Sequence, residues 1–181
     1  EALVAGDPEL AQKAAAHRAL HDDARAAAGN GGRTTLTTLV ADAWSASWAH
    51  VGDSRVYHFQ DGRLRTRTRD HSVPEMLHRA GEIPDSEIRK HPDRGRLLQA
   101  LGQSTQPRVA ISERAVLTNG DAFLLCSDGW WDTLADAEME EALRSATHPR
   151  EWLQRMGALI SAEAVVPEDN YTAQAAFGLP A

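Results

Sequence analysis

The sequence is poor in several features that would mark other kinds of protein. It has one cysteine, Cys126, among 181 residues, which excludes an internal disulfide framework and a zinc-ribbon site. No apolar run approaches the roughly 18 residues of a membrane span, and the N-terminus lacks the basic head and apolar run of a signal peptide. Basic residues are outnumbered, 19 against 26 acidic, and the net charge of −7 argues against a nucleic-acid or anionic-membrane surface. We therefore expect a cytoplasmic protein that binds no nucleic acid and does not insert into a membrane.

What the sequence does contain is an ordinary globular composition, with 42% hydrophobic and 25% charged residues. A chain of this length can bury roughly two-thirds of its unfolded surface without covalent staples, which suggests one domain or part of a larger one. There is no internal repeat, and no linker is long enough to mark a boundary. We therefore interpret residues 1–181 as belonging to a single domain.

Helical segments and β-type runs come in blocks along the chain. An alanine-rich segment predicts a helix over residues 7–28, and two more helices are predicted over 135–146 and 149–164, the last with His148 or Thr147 at its start. Strands are predicted over 34–40, 43–51, 55–60, 63–68, 109–117, 121–126 and 171–177. Between residues 70 and 102, prolines and dense charge indicate an irregular insertion with short helical pieces and little sheet. Blocks of this kind favour an α+β fold in which antiparallel sheets are flanked by helices.

Aspartates stand at the ends of several predicted strands. They are Asp53 between two strands, Asp128 after a buried apolar strand, Asp132 four residues later, and Asp169 before the last strand. Mg²⁺ and Mn²⁺ bind preferentially to oxygen ligands such as carboxylates. A sheet fixes the backbone from which these aspartate side chains extend. If Gly129 begins a helical turn, Asp128 and Asp132 project to the same side. The pattern is compatible with a site for a hard divalent cation.

The same residues also have structural interpretations. Asp-Gly and Asp-Ser are common turn formers, and Asp132 equally fits the N-cap of a helix. Cys126, in an apolar strand with no basic neighbour, is interpreted as a core thiol rather than a nucleophile. The pair Trp130 and Trp131 is interpreted as packing rather than as a binding platform. No single residue decides the function.

Six short motifs, however, occur together in order. They are Gly32-Arg33-Thr34-Thr35-Leu36, Val51-Gly52-Asp53-Ser54-Arg55-Val56-Tyr57, Arg69-Asp70-His71-Ser72, Gln99-Ala100-Leu101-Gly102, Leu124-Leu125-Cys126-Ser127-Asp128-Gly129 and Asp169-Asn170-Tyr171-Thr172. Each motif is weak alone, but over about residues 9–177 the set resembles the PP2C (PPM) family of metal-dependent serine/threonine phosphatases in its bacterial form. The resemblance implies a four-layer α-β-β-α sandwich of two antiparallel sheets flanked by helices. It also implies that the 70–102 insertion is the family's flap, beside the substrate cleft.

The resemblance further implies metal ligands, residue by residue. Asp128 matches the Ser-Asp-Gly aspartate and Asp169 the Asp-Asn aspartate, both of which bind the first metal in the family. Asp53 matches the Gly-Asp-Ser-Arg aspartate, which in bacterial relatives binds a third, looser ion together with the Ser-Asp-Gly aspartate. Asp132 matches a position associated with that third ion.

The implied chemistry is direct hydrolysis of phosphoserine or phosphothreonine. In the family, two Mn²⁺ or Mg²⁺ ions share a water, lower its pKa and orient it toward the phosphorus. Bacterial relatives bind a third ion as well. Gly129, Asn170 and Arg55 flank the ligands in the matched motifs, and Arg55 is interpreted as a structural ion-pair partner. No phosphoenzyme is required, which agrees with the inert interpretation of Cys126. The implied partners are phosphoproteins, modified by a serine/threonine kinase.

Two motifs of the family, Asn-Glu-Asp and Asp-Gly-x-Gly-Gly, do not occur in the sequence. In the family both precede the helix predicted over 7–28, and the second carries the aspartate that bridges the two metals. We therefore expect an N-terminally incomplete domain that lacks its first strands. This keeps open an alternative, a non-catalytic phosphatase-like module that binds or regulates partners. A different metal hydrolase using the same carboxylates is disfavoured by the six ordered motifs.

Overall fold

The computed structural model describes residues 33–103, 108–162 and 170–178. The strands in these residues are β1 (Leu36–Ala41), β2 (Ser45–Val51), β3 (Arg55–Gln60), β4 (Arg63–Arg67), β5 (Ala110–Ile111), β6 (Ala115–Val116), β7 (Asp121–Cys126) and β8 (Ala173–Phe177). The helices are α1 (Val73–Arg79), α2 (Asp85–Ile88), α3 (Asp128–Trp131), α4 (Asp136–Arg144) and α5 (Pro149–Ala162). The helix predicted over 7–28 lies outside the described residues.

The strands form two antiparallel sheets. In the first sheet β2 is central, pairing with β1 on one side and with the short strands β5 and β6 on the other. The second sheet has the order β4-β3-β7-β8. The predicted α+β class with two antiparallel sheets is confirmed.

Strand β3 has hydrophobic surroundings on both faces, and its alternation shows how the layers stack. Tyr57 and Phe59 pack into the larger core with helices α3–α5, where the Phe59 and Trp152 rings meet edge-on at 5.2 Å between centroids. His58 points to the opposite face, where its ring lies 5.6 Å from that of Trp48 on the first sheet. The two sheets therefore pack face to face, and the helices cover the outer face of the second sheet.

One predicted strand, over 109–117, is wrong as a continuous element. The structure has two strands of two residues there, separated at residues 112–114. At the break a side chain takes over part of the pairing: the Trp48 N–H donates to Ser112 Oγ at 2.9 Å, and the Ser112 N–H donates to the Trp48 carbonyl at 2.8 Å. Arg114 Nε donates to Ser45 Oγ at 2.7 Å. Side-chain partners thus interrupt the ladder while keeping the segment attached to β2.

Helix α5 begins as its local sequence predicts. Pro149 is its first residue, and the ring Nδ1 of His148 accepts the N–H of Glu151 at 3.1 Å. A side chain that satisfies a free N–H in the first turn is what an N-terminal cap provides.

Among the residues that the structure describes, no helix is both long and apolar enough to cross a membrane.

The segment over 70–102 contains the predicted short helical pieces, α1 and α2, and only isolated β-bridges, Ser72 to Leu97 and Thr34 to Leu101. Arg89 attaches this insertion to the helical layer, because its Nη2 donates to Asp136 Oδ1 at 3.1 Å. The insertion therefore packs beside α3 and α4.

Cys126 is the last residue of β7 and is 3% exposed. Its side chain belongs to the core between the second sheet and the helices. Burial raises the pKa of the thiol above its usual range, so the reactive thiolate is disfavoured. The interpretation as a core thiol is confirmed.

Candidate metal centre

Asp53 lies in the tight loop between β2 and β3. Gly52 precedes it with φ of 100°, a left-handed conformation, and a Cβ at Gly52 would collide with the Thr35 side chain. Glycine is therefore required for this loop, on both conformational and steric grounds. The loop buries Asp53, which is 6% exposed.

Asp128 lies where β7 ends and α3 begins. Its Oδ1 accepts the N–H of Gly129 at 2.9 Å. Gly129 is packed tightly, since a Cβ there would lie 2.8 Å from the carbonyl oxygen of Asn170. Ser127 holds the same segment, because its N–H donates to the Thr172 carbonyl at 3.0 Å and its Oγ accepts the Thr172 N–H at 3.1 Å. The segment before β8 is thus fixed against the Asp128 turn.

These carboxylates affect one another's ionisation. Burial, together with the negative charges of Asp128 and Asp70, raises the pKa of Asp53 to about 7. Burial also raises the pKa of Asp132, with Arg94 opposing the shift and Asp128 adding to it. Asp128 therefore acts electrostatically on both Asp53 and Asp132. A cation between these groups would offset their repulsion.

Asp132 follows the last residue of α3, and its N–H donates to the Asp128 carbonyl at 2.8 Å. The alternative that it caps the start of a helix is wrong, because α4 begins only at Asp136. One carboxylate oxygen, Oδ2, accepts Arg94 Nε of the insertion at 2.7 Å. The other, Oδ1, is buried and has no hydrogen-bond partner among the described residues.

Arg55 forms a buried ion pair beside this site. Its Nε and Nη2 donate to the two carboxylate oxygens of Asp70 at 2.8 and 2.7 Å, and its Nη1 donates to the Tyr57 hydroxyl at 3.0 Å. The guanidinium lies over the Trp131 ring, 3.5 Å from its centroid. The guanidinium is thus occupied by partners within the protein, as a structural ion-pair partner would be.

Two stacked histidines lie beneath the Asp53 loop. The rings of His50 and His71 are 4.6 Å apart, and His71 Nδ1 accepts the Gly52 N–H at 3.3 Å. Burial, together with the neighbouring His50, lowers the pKa of His71 to about 4, and Asp70 opposes the shift. Burial also lowers the pKa of His50. The fold therefore disfavours protonation of both rings.

We expect the His71 contribution to stability to fall as pH is lowered from about 6.5 toward about 4. In this window the unfolded His71 ring binds a proton that the folded ring does not, so protonation of this group favours unfolding. Asp53, with its pKa raised to about 7, contributes in the opposite direction over the same range, so the His71 contribution is the difference in slope between the wild type and a variant without this ring. The expected loss is about 1–2 kcal/mol, because solvent reaches the half-buried ring and screens part of the effect. Urea unfolding at a series of pH values measures it.

The variant His71→Asn is expected to lose this slope from His71 and to keep the opposing one from Asp53, because its amide oxygen can still accept the Gly52 N–H but does not titrate. His148→Asn is the matched control, since the exposed His148 ring also accepts a backbone N–H. The interpretation fails if His71→Asn keeps the wild-type slope, or if His148→Asn changes it equally.

The described residues thus bring Asp128 within electrostatic range of two other predicted ligands, Asp53 and Asp132. Asp169 lies outside the described residues, but the next residue, Asn170, lies against Gly129. Within residues 33–103, 108–162 and 170–178, no three His, Cys, Asp or Glu side chains are grouped closely enough to hold a metal ion.

The residues present fit a hard divalent cation in their chemistry. All three are carboxylates, the ligand type that Mg²⁺ and Mn²⁺ prefer, and Asp132 Oδ1 is a buried acceptor without a partner in the described structure. Their ligand roles stay predictions.

The sequence analysis assigns no role to Asp70 or Arg94, and it assigns Trp131 to packing alone. Asp70 belongs to a motif that was noted, and a buried arginine requires an acidic partner, so that pair could have been inferred. Arg94 and Trp131 contact Asp132 and Asp53 across 38 and 78 residues, and no local pattern marks such contacts.

No protein-family model matches the chain. The serine/threonine phosphatase stp of Listeria innocua is 39% identical over 117 residues, which are 64% of this chain and 46% of the relative. The solved structure of the Mycobacterium tuberculosis serine/threonine phosphatase PstP/Ppp has a TM-score of 0.75 at 30% identity, covering 93% of this chain and 72% of that one. The PstP catalytic domain solved in complex with two manganese ions has a TM-score of 0.68 at 29% identity, covering 87% and 64%. The chain spans about half the length, or less, of the curated relatives it matches.

The two packed sheets, with acidic residues at one end, are therefore the architecture of the bacterial serine/threonine phosphatases. The chain belongs to the PP2C (PPM) family of these proteins.

Proposed function

We propose that the chain is the larger part of a protein serine/threonine phosphatase domain that hydrolyses phosphoserine and phosphothreonine at a binuclear Mn²⁺ or Mg²⁺ centre. The observation that carries this proposal is the placement of Asp128, between β7 and α3, within electrostatic range of both Asp53, after β2, and Asp132, after α3. The likeness to PstP, which has been solved with two manganese ions, supports it.

In this proposal the chain's own residues hold and orient the reactants. Asp128 and Asp169 bind the first ion, and Asp53, with Asp128 and Asp132, binds a third. When bound, the ions supply Lewis acidity that activates water and offsets charge on the phosphoryl group. The 70–102 insertion, attached beside α3 and α4, forms one wall of the substrate cleft. The substrates are phosphoproteins of the bacterial cytoplasm, modified by a serine/threonine kinase.

The test is release of phosphate from a phosphothreonine peptide by the full natural protein. We expect turnover that requires Mn²⁺ or Mg²⁺, stops on addition of a chelator and returns when the metal is restored. A phosphotyrosine peptide of the same sequence serves as the specificity control. Absence of metal-dependent turnover on both peptides would overturn the proposal.

The second candidate is a non-catalytic phosphatase-like module. It is favoured by one observation, that the described residues contain no group of three side chains able to hold a metal ion. Calorimetry with Mn²⁺ separates the candidates, because a phosphatase of this family must bind at least two ions. Two-site binding by the full natural protein would exclude the non-catalytic module.

A further inference from the structure

The Trp131 side chain connects the two segments that carry Asp53 and Asp128. Trp131 lies three residues after Asp128, on the same short helix α3, and is 1% exposed. Its indole Nε1–H donates to the backbone carbonyl of Asp53 at 2.9 Å. One side chain from the α3 segment therefore fixes the main chain of the β2–β3 loop.

The face of the same ring makes a second contact with this loop region. Arg55, two residues after Asp53, lies over the Trp131 ring at 3.5 Å and is held there by both oxygens of Asp70. A guanidinium over an indole face is an attractive arrangement, and burial strengthens it. Trp131 thus contacts the β2–β3 connection at the Asp53 carbonyl and again at the Arg55 side chain.

The hydrogen bond to the Asp53 carbonyl joins the two segments that carry the candidate ligands. Asp53 is 6% exposed, and the residue before it, Gly52, is packed against the Thr35 side chain. The hydrogen bond from Trp131 ties the Asp53 main chain to α3, the helix that begins at Asp128. Loss of this bond would leave the Asp53 main chain without that connection to α3.

We propose that Trp131 is a positioning residue for cation binding, because its indole N–H holds Asp53 at the correct place relative to Asp128. This inference rests on the proposed function, since it concerns the cation that those two carboxylates share. Trp131 itself contributes no ligand. Its role is to keep the two ligands in register, and partners of this kind typically contribute about 10- to 100-fold to metal affinity.

Trp152 provides a matched comparison within the same core. It is 0% exposed, and its indole Nε1–H also donates to a backbone carbonyl, that of Met139, at 3.0 Å. Met139 lies in α4 and carries no candidate ligand. If Trp131 only fills the core and donates a hydrogen bond to a backbone carbonyl, replacement of either tryptophan has the same effect on melting temperature and on Mn²⁺ affinity.

The experiment compares Trp131→Phe with Trp152→Phe in the full natural protein. Melting temperatures are measured in chelator, and Mn²⁺ affinity is measured by calorimetry, with the relevant site defined as the one lost in Asp53→Asn. We expect both variants to melt several degrees below the wild type, because each loses one buried hydrogen bond and core volume. We expect Mn²⁺ binding at the relevant site to weaken about tenfold in Trp131→Phe and less than twofold in Trp152→Phe.

A second variant covers the case in which Trp131→Phe does not fold. Incorporation of 3-benzothienylalanine at position 131 keeps the shape of the ring and replaces only the N–H by sulfur. The same tenfold weakening is expected. Equal Mn²⁺ affinities in the position-131 and position-152 variants would overturn this inference alone. A wild-type protein that binds no Mn²⁺ would instead overturn the proposed function, and this inference with it.

Discussion

Replacement of Asp128 by asparagine is expected to lower metal-dependent phosphatase activity at least about a hundredfold while leaving the fold intact. The charge of Asp128 acts on both Asp53 and Asp132, so its loss removes a residue common to the proposed site. Asparagine keeps an oxygen that can accept the Gly129 N–H, and the local turn is preserved. Initial rates on a phosphothreonine peptide at saturating Mn²⁺ measure the effect.

The same substitution is expected to leave the melting temperature in chelator unchanged or slightly higher. Removing the Asp128 charge relieves its repulsion of the buried Asp53. Functional sites commonly retain such repulsion between like charges at a cost in stability. Asp61→Asn is the control, because Asp61 lies in the β3–β4 turn at φ 50°, a conformation that asparagine accepts readily. Wild-type turnover in Asp128→Asn would refute its role as a ligand.

Replacement of Arg55 by alanine is expected to lower the free energy of unfolding by about 3–5 kcal/mol. The side chains of Arg55 and Asp70 are 2% and 1% exposed, so the variant leaves a buried carboxylate without its two hydrogen-bond donors. Tyr57 also loses a hydrogen-bond partner, and Trp131 loses the group that covers its ring. Urea denaturation in chelator measures the loss without a contribution from bound metal.

Two control variants test whether the loss of stability comes from burial of the charge. Arg63→Ala breaks an ion pair with Glu140 whose arginine is 73% exposed, and we expect a loss below about 1 kcal/mol. The double variant Arg55→Met with Asp70→Leu is expected to be more stable than Arg55→Ala, because no uncompensated charge is left in the core. If Arg55→Ala costs no more than Arg63→Ala, the buried pair does not stabilise the fold as argued.

Most of the fold could be predicted because its signals are local. The strands of the second sheet alternate with period two between two apolar environments, so β3 and β7 have the predicted bounds. The turn at Asp61-Gly62 and the proline at the start of α5 mark boundaries for similar reasons. The break between β5 and β6 could not be predicted, because it depends on Ser112 and Arg114 reaching side chains and backbone more than sixty residues away.

The candidate site was predictable only in part. Aspartates after strands could be found by position, because a sheet brings strand ends together at one edge. The residues that hold those aspartates in place could not be found in this way. The sequence predicts packing for Trp131, which is correct for the ring, but it does not predict the indole N–H that donates to the Asp53 carbonyl. A hydrogen bond to a backbone carbonyl leaves no trace in the residue type at the accepting position.

The burial of Cys126 has a practical consequence for measuring how this molecule opens. Because residues 1–181 contain no other cysteine, a thiol reagent reacts within this chain at one known place, the end of β7. That thiol lies between the second sheet and the helical layer, so a reagent reaches it only after these layers separate. The rate at which Cys126 is labelled therefore measures how often the helices separate from the sheet, and the measurement needs no engineered cysteine.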